Sequence, residues 1–265
     1  MERALSSSTD DQLPLLSIIV CVKDDQEAFR ATLESLAALP VGSSEVIVSD
    51  GSEDRRETEA QINEIKLGLE VRYLWNPPLG VYPAINEGLR CVRGEWVYVL
   101  NSGDLLIHAS AGSLFCALGE STSDILLFQV SCIRDGTPVF ESKADMRSIF
   151  WPHQGVFLRH KIHRQLGFYN EGFKVVADQV FLHMARARYS TSVFKEVIAE
   201  YDLRGISSGT DLRIRKEFWL VRKMHGVNPL TNFFWSYVRP IIRGLIDRFL
   251  SPRIVDAYLK RRYGD

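Results

Sequence analysis

Trp96-Val97-Tyr98-Val99-Leu100-Asn101-Ser102-Gly103-Asp104 decides the fold, because an apolar run there passes directly into a polar turn that ends in a carboxylate. Residues 96–100 are an unbroken set of strand formers, the pattern of a strand buried on both faces. Asn-Ser-Gly-Asp stops it. In open α/β sheets, ligands bind beyond the carboxyl ends of the strands, so Asp104 is set where a hard metal ion or a polar ligand meets the protein. A carboxylate there neutralises part of a divalent metal's charge, and the metal in turn carries a diphosphate. A plain βα turn whose Asp caps the next helix has the same residue pattern, so other segments must choose between the two.

The apolar strand with an acidic stop also occurs upstream. Residues 15–22, Leu-Leu-Ser-Ile-Ile-Val-Cys-Val, end at Lys23-Asp24-Asp25, and residues 45–49 end at Asp50-Gly51-Ser52. Between them, 27–39 brings Ala28, Leu33, Leu36, Ala37 and Leu39 onto a helical face that Pro40 terminates. Strand, helix, strand with short links is a βαβ unit, which dictates a parallel sheet with right-handed crossovers. A polar helix over 54–67, a strand over 70–74 and a helix over 81–91 extend the series, with Pro83 tolerated in a first turn. The expected class is α/β, a mixed and mostly parallel sheet with helices on both faces. Asp24, Asp50 and Asp104 then share one rim. Three carboxylates so placed cost desolvation and repulsion unless a ligand uses them.

The 265 residues are 46% hydrophobic and 25% charged, enough for one large core with an appendage and unlike a disordered chain. Residues 1–12 read as a disordered polar tail, 13–209 as the main domain and 210–265 as a basic helical extension. From Thr210 onward 12 Lys and Arg face 5 Asp and Glu, a local +7 inside a chain of net charge −1. Such asymmetry aims the end of the chain at an anionic surface. Cys21, Cys91, Cys116 and Cys132 show no Cys-x-x-Cys spacing, which argues against a zinc site or a disulfide framework and for a reducing cytoplasm. The polar start does not read as a signal peptide, and no uncharged apolar stretch is long enough to span a bilayer.

Leu16-Ser17-Ile18-Ile19-Val20, then Val46-Ile47-Val48-Ser49-Asp50-Gly51-Ser52 with Asp54, then Gly80-Val81-Tyr82-Pro83-Ala84-Ile85-Asn86-Glu87-Gly88, then Gly94-Glu95-Trp96 leading to Asp104, keep a characteristic order and spacing. In that order and spacing the chain resembles the inverting family 2 glycosyltransferases of the GT-A fold. The resemblance implies a nucleotide diphosphate sugar as donor, with Asp50 at the nucleotide base and Asp104 on a Mg²⁺ or Mn²⁺ ion that binds the diphosphate. It draws substrate contacts from Val22, Asp24, Asp50, Asn86, Asn101, Ser102 and Gly103. Two departures stand out. Gly103 occupies the place where many members carry the first Asp of the metal-binding turn, and Pro83 the place where many carry an Asp after the Tyr.

A matching block follows in Trp151-Pro152-His153-Gln154-Gly155-Val156-Phe157, Leu166-Gly167-Phe168-Tyr169-Asn170-Glu171-Gly172-Phe173 and Val176-Ala177-Asp178. It looks like the family's acceptor-side segment, which implies Asp178 as general base and His153 and Gln154 as contacts to the diphosphate or donor sugar. A carboxylate at a helix N-terminus is favoured by the macrodipole and can take a proton from an acceptor hydroxyl. The bland alternative is an N-cap for a helix over 179–188. His183 reads as a packing or surface residue, and His108, His160 and His163 as surface residues of loops and helices.

Residues 200–209 resemble the family's closing strand and loop, here without the His that many GT-A enzymes use as a metal ligand. A helix is expected over 211–225. Beyond it Phe234, Val238, Ile241, Ile242, Leu245 and Phe249 recur at helical spacing with Arg239, Arg243 and Arg248 between them. That pattern suits an interfacial helix over 230–262 lying on a membrane, or else a terminal helix packed on the domain or across a dimer. No recognition motif accompanies the charge, which argues against nucleic acid. The expected activity is metal-dependent transfer of a sugar, with inversion, to a saccharide hydroxyl, lipid-linked if the helix meets the inner face of the plasma membrane. The alternatives are a nucleotide-binding protein of the same fold without transferase activity, and a membrane-recruited interaction module.

Overall fold

The computed structural model describes residues 3–4, 13–65, 67–134, 136–142, 145–203 and 211–242. In chain order the elements are β1 (Arg3–Ala4), β2 (Leu16–Val22), α1 (Gln26–Ser35), β3 (Ser44–Asp50), α2 (Arg55–Glu64), β4 (Glu70–Trp75), α3 (Val81–Arg90), β5 (Trp96–Val99), β6 (Leu105–Leu106) and α4 (Ala111–Glu120). There follow β7 (Ile125–Arg134), β8 (Thr137–Glu141), β9 (Val156–Arg159), α5 (His160–Leu166), α6 (Ala177–Arg186), β10 (Thr191–Asp202), α7 (Leu212–Met224) and α8 (Pro229–Phe233). The expected polar tail lies outside the described residues except for β1, which pairs antiparallel with β4.

One sheet runs β1-β4-β3-β2-β5-β9-β7-β10-β6, with β8 on the side of β7. The long pairings are parallel: β2 with β3 and β5, β3 with β4, and β7 with β10. Antiparallel β9 stitches the two parallel halves together between β5 and β7. The class is therefore the mixed α/β sheet that the strand and helix pattern called for.

Alternation along each strand sorts the core into two layers. Ile18, Val20, Val46, Val48, Trp96, Tyr98, Leu126 and Phe128 point to one face, under Phe29 and Leu33 of α1 and Leu114 and Leu118 of α4. Ile19, Ile47, Val97, Val99, Ile125 and Leu127 point to the other, under Ile85 and Leu89 of α3, Ile162 of α5, and Phe181 and Leu182 of α6. Helices thus cover both faces, and apolar runs without alternation follow from it. Gly88 brings α3 against the sheet: a Cβ there would sit 2.7 Å from Ile19 Cγ2.

The basic extension begins with α7, capped by Asp211, whose carboxylate accepts from the Arg213 N–H. α8 continues as a π-helical turn over Phe234–Val238. Pro240 lacks an N–H and its ring crowds the carbonyl four residues back, so a wider turn before it relieves the helix. The part of the expected interfacial helix over 243–262 and the loop over 204–209 lie outside the described residues. Among the described residues, no helix is long and apolar enough to cross a membrane.

Candidate functional site

Parallel β2, β3 and β5 end together, and backbone bonds tie their turns into one rim. The Gly51 N–H donates to the Val22 carbonyl at 2.9 Å, and the Ser102 N–H to the Cys21 carbonyl at 2.9 Å. Asp24 sits in the left-handed region at φ 51°; its N–H donates to Ser52 Oγ and its Oδ1 accepts from the Glu53 N–H. The rim predicted for Asp24, Asp50 and Asp104 is real, but its members differ in access. Asp50 is fully buried, with Oδ1 accepting from the Ser52 N–H and Oδ2 from the Tyr73 hydroxyl, each at 2.8 Å. Val22 is also buried, whereas Trp75 at the end of β4 is 45% exposed and its Nε1 donates to the Ser52 carbonyl.

Asp104 closes the turn after β5. Gly103, at φ 93°, lets the chain double back, and its N–H donates to Thr32 Oγ1. Thr32 Oγ1 also bonds the Asp104 carbonyl at 2.9 Å, so α1 fixes the turn from below. The Asp104 side chain is only slightly exposed; its Oδ2 accepts from Gln154 Nε2 at 2.8 Å and lies 3.7 Å from His153 Nε2. Burial pushes its carboxyl up to about 7, opposed by the Gln154 donation and reinforced by the charge of Asp202 at the end of β10. A cation beside the exposed edge of this group would reverse that preference. The Ser102 side chain makes a long bond from Oγ to the Asp25 carbonyl.

His153 and Gln154 form a 3-10 turn with Gly155, immediately before β9. A Cβ on Gly155 would lie 2.4 Å from the Phe128 carbonyl oxygen, so only glycine allows the turn to lie on β7 and aim these two side chains at the rim. Tyr98 adds a hydroxyl bond to the Gln154 carbonyl at 2.8 Å. His153 Nε2 is 3.1 Å from Asn101 Nδ2. Burial pushes the His153 imidazole down, which keeps it neutral near pH 7, while the Asp178 charge acts in the opposite direction.

On the far side of His153 lies a cavity of about 20 Å³ whose walls include Trp151, His153, His163, Tyr169, Asp178 and Gln179. Asp178 is therefore not a cap. Val176 occupies the N-cap of α6, without a side-chain cap bond, and Asp178 stands in the first turn. Its Oδ1 accepts from the Tyr82 hydroxyl at 2.7 Å and its Oδ2 from Gln179 Nε2 at 2.7 Å. Gln179 is locked in turn by two bonds to the backbone of Trp151. Burial and the Asp178 charge raise the Tyr82 phenol far beyond its ordinary range, so it is a proton donor at every working pH.

Two expectations change. Asn86 is buried and its amide is committed to the loop after α5: Nδ2 donates to the Tyr169 carbonyl and Glu171 Oε1, and Oδ1 accepts from the Tyr169 N–H. It positions that loop instead of facing the rim. His163 is not a surface residue but 3% exposed, stacked on Phe181 and edge-on to Tyr169. Tyr82 and Gln179 were missed because nothing local marks them; each acts on a partner brought close by the fold. The donor set for a cation is thin. Among the described residues, no three His, Cys, Asp or Glu side chains converge on one point.

The profile of the family described as Glycosyl transferase family 2 matches residues 17–184, more than half of the chain. A PGL/p-HBAD biosynthesis glycosyltransferase of Mycobacterium bovis is 25% identical over 232 residues, covering 79% of this chain and 91% of that protein. An uncharacterized glycosyltransferase of Rickettsia bellii is 34% identical over 93 residues, 35% of this chain and 13% of that one. Among solved structures, S. aureus TarS 1-349 in complex with UDP-GlcNAc is similar at TM-score 0.66 and 20% identity, covering 83% of this chain and 72% of that one. The chain spans 38% of a longer TarS structure. The mannosyltransferase PcManGT from Pyrobaculum calidifontis, in complex with GDP-Man and Mn²⁺, is similar at TM-score 0.64 and 13% identity, covering 98% and 82%. At these identities the two structures speak for the fold, which is the GT-A fold expected from the sequence.

Proposed function

We propose, for a chain that belongs to glycosyl transferase family 2, that it moves a sugar from a nucleotide diphosphate sugar to a saccharide hydroxyl with inversion at the anomeric carbon. The observation that carries this reading is the turn of His153 and Gln154, which contacts Asp104 on one side and shares a cavity with Asp178 on the other. On this reading His153 links a donor-side carboxylate, Asp104, to an acceptor-side one, Asp178. The acceptor oxygen attacks the anomeric carbon as the bond to the diphosphate oxygen breaks, and Asp178 takes the hydroxyl proton. The nucleotide diphosphate leaves.

Asp104 would hold Mg²⁺ or Mn²⁺ with His153 beside it, the diphosphate and water completing the shell. When bound, such an ion neutralises charge on the departing diphosphate. The chain's own residues do the rest. Gln154 orients Asp104, Tyr82 and Gln179 orient Asp178, and the Asp24 to Ser52 turns shape the nucleotide end of the cleft. TarS and PcManGT hold UDP-GlcNAc and GDP-Man respectively, which supports a donor of that class here. A lipid-linked saccharide as acceptor, met at the cytoplasmic face of a membrane, belongs to the same reading.

Calorimetry with UDP and GDP plus Mn²⁺, followed by turnover of the matching sugar donors over an acceptor panel with NMR assignment of the product anomer, tests it. Binding followed by transfer with inverted configuration is expected. Retained configuration overturns inversion, and nucleotide binding without transfer to any acceptor favours a non-catalytic member of the fold.

A further inference from the structure

The last described helix is inside out. In α8 and the π-helical turn after it, the side chains turned toward the protein are polar: Asn232 and Ser236 are 1% and 2% exposed. Asn232 Nδ2 donates to the Trp219 carbonyl of α7, Ser236 Oγ donates to Asn232 Oδ1, and Arg222 Nη1 donates to Ser236 Oγ. The side chains turned to solvent are apolar: Leu230 is 82% exposed, Phe233 56%, Phe234 46% and Ile241 53%. A helix in contact with water shows the opposite arrangement, so this face is built for a non-aqueous neighbour.

The surrounding charge selects that neighbour. From Phe218 to Ile242 the sequence contains Arg222, Lys223 and Arg239 and no Asp or Glu. Lys216 adds a cation to the groove between α7 and α8, whose other walls are Trp219, Leu220, Phe233 and Tyr237. Lys223 lies over the Trp219 ring and Arg239 over the Trp235 ring, which sets indoles next to cations. Exposed Leu and Phe with indole and cation at their edge match the boundary between acyl chains and anionic headgroups. A second copy of this chain would set like charges against like.

We infer that the outward face of α7 and α8 docks on an anionic lipid bilayer. The same helices are clamped to the acceptor side of the cleft: Glu217 on α7, 7% exposed, accepts from the backbone N–H groups of Lys174 and Val175, in the segment leading to Asp178. His183 on α6 also meets His225 at the end of α7, with 3.1 Å between Nδ1 and Nε2. A chain lying on lipid by this face therefore holds the base-bearing helix at a fixed relation to the surface. This last step rests on the transferase reading; the bilayer contact does not.

Sedimentation of the intact protein with phosphatidylcholine vesicles, with and without phosphatidylglycerol, tests the contact. Binding to the anionic vesicles is expected, weakened about fivefold by Lys223→Gln and at least about tenfold by Leu230→Glu with Phe234→Glu. All three positions are exposed or half-exposed at the edge of the fold, and an unchanged thermal midpoint checks that the variants remain folded. Absence of anionic-vesicle binding, equal binding to neutral vesicles, or binding indifferent to the double variant overturns the inference. A dimer mass in solution that the double variant abolishes overturns it in favour of a second copy. Vesicle binding without nucleotide affinity would sink the transferase reading and leave the docking face standing.

Discussion

The proposed donor side and the proposed acceptor side of the site use their acids in opposite ways. On the donor side, Asp50 is sealed, with both oxygens bonded to Ser52 and Tyr73, and Asp24 accepts from the Glu53 backbone. These carboxylates shape turns. On the acceptor side, Asp178 is held by two side-chain donors at the wall of a cavity it shares with His153. That carboxylate is presented. An acid at a strand end is thus not evidence of ligand contact by itself; both carboxylates accept a bond on each oxygen, and access separates them, Asp50 being sealed and Asp178 half-buried at a cavity wall.

The sharpest break in that contrast comes from Asp178→Asn. It keeps the shape and removes the proton acceptor, so turnover should fall about a thousandfold with nucleotide affinity unchanged, while the thermal midpoint drops because an amide nitrogen then faces the Tyr82 hydroxyl or Gln179 Nε2. Steady-state kinetics beside calorimetry would show it, and wild-type turnover would strip Asp178 of its role. A second test lies just behind it, at His163. Burial pushes this imidazole down to about 4 from an ordinary 6.5, so the folded state prefers it neutral. The unfolded chain binds the proton first as pH falls, so this contribution is complete above pH 6.5 and lost on the way down to about 4. The loss amounts to roughly 3 kcal/mol. His163→Phe, in a site already lined by Phe181 and Tyr169, should flatten the thermal midpoint across that window; an identical acid profile would mean another group is responsible.

The two sides were also unequally legible. The donor rim could be read because each acid follows its own strand within a few residues, and the period-2 core of β2, β3 and β5 is written as continuous apolar runs. The acceptor side joins residues far apart in the chain: Tyr82 to Asp178, Asn86 to Tyr169, Gln154 to Asp104. No spacing rule reports a partner some fifty to a hundred positions away, so Asn86 passed for a ligand contact and Tyr82 for a silent neighbour of Pro83. The C-terminal helices were legible in a different manner. Their period was visible, but the inverted polarity of Asn232 and Ser236 emerges only once α7 is packed beneath them.

Returning to the donor side, Asp50→Asn should leave the chemistry available and lower stability instead. An amide nitrogen replaces one of two buried acceptors, setting a donor against either the Ser52 N–H or the Tyr73 hydroxyl at a cost of about 1–3 kcal/mol. Denaturant unfolding measures it. A variant with intact stability and lost nucleotide binding would instead make Asp50 a presented carboxylate, and the contrast between the two sides would fail.

The smallest effect is expected from Tyr82→Phe, and it separates holding a base from being one. The ring is buried against Tyr169 and Asp178, and phenylalanine fills the same space, so little stability should be lost beyond the hydroxyl bond. Asp178 would keep its Gln179 partner, but one of its two restraints would be gone. Turnover should fall about tenfold, against about a thousandfold for Asp178→Asn, with the donor KM unchanged, because the loss is one of orientation in the transition state and not of ground-state binding. A kcat loss equal to that of Asp178→Asn would mean that Tyr82 itself takes part in the proton transfer. No loss at all would mean that Gln179, fixed by the Trp151 backbone, is sufficient to aim the carboxylate.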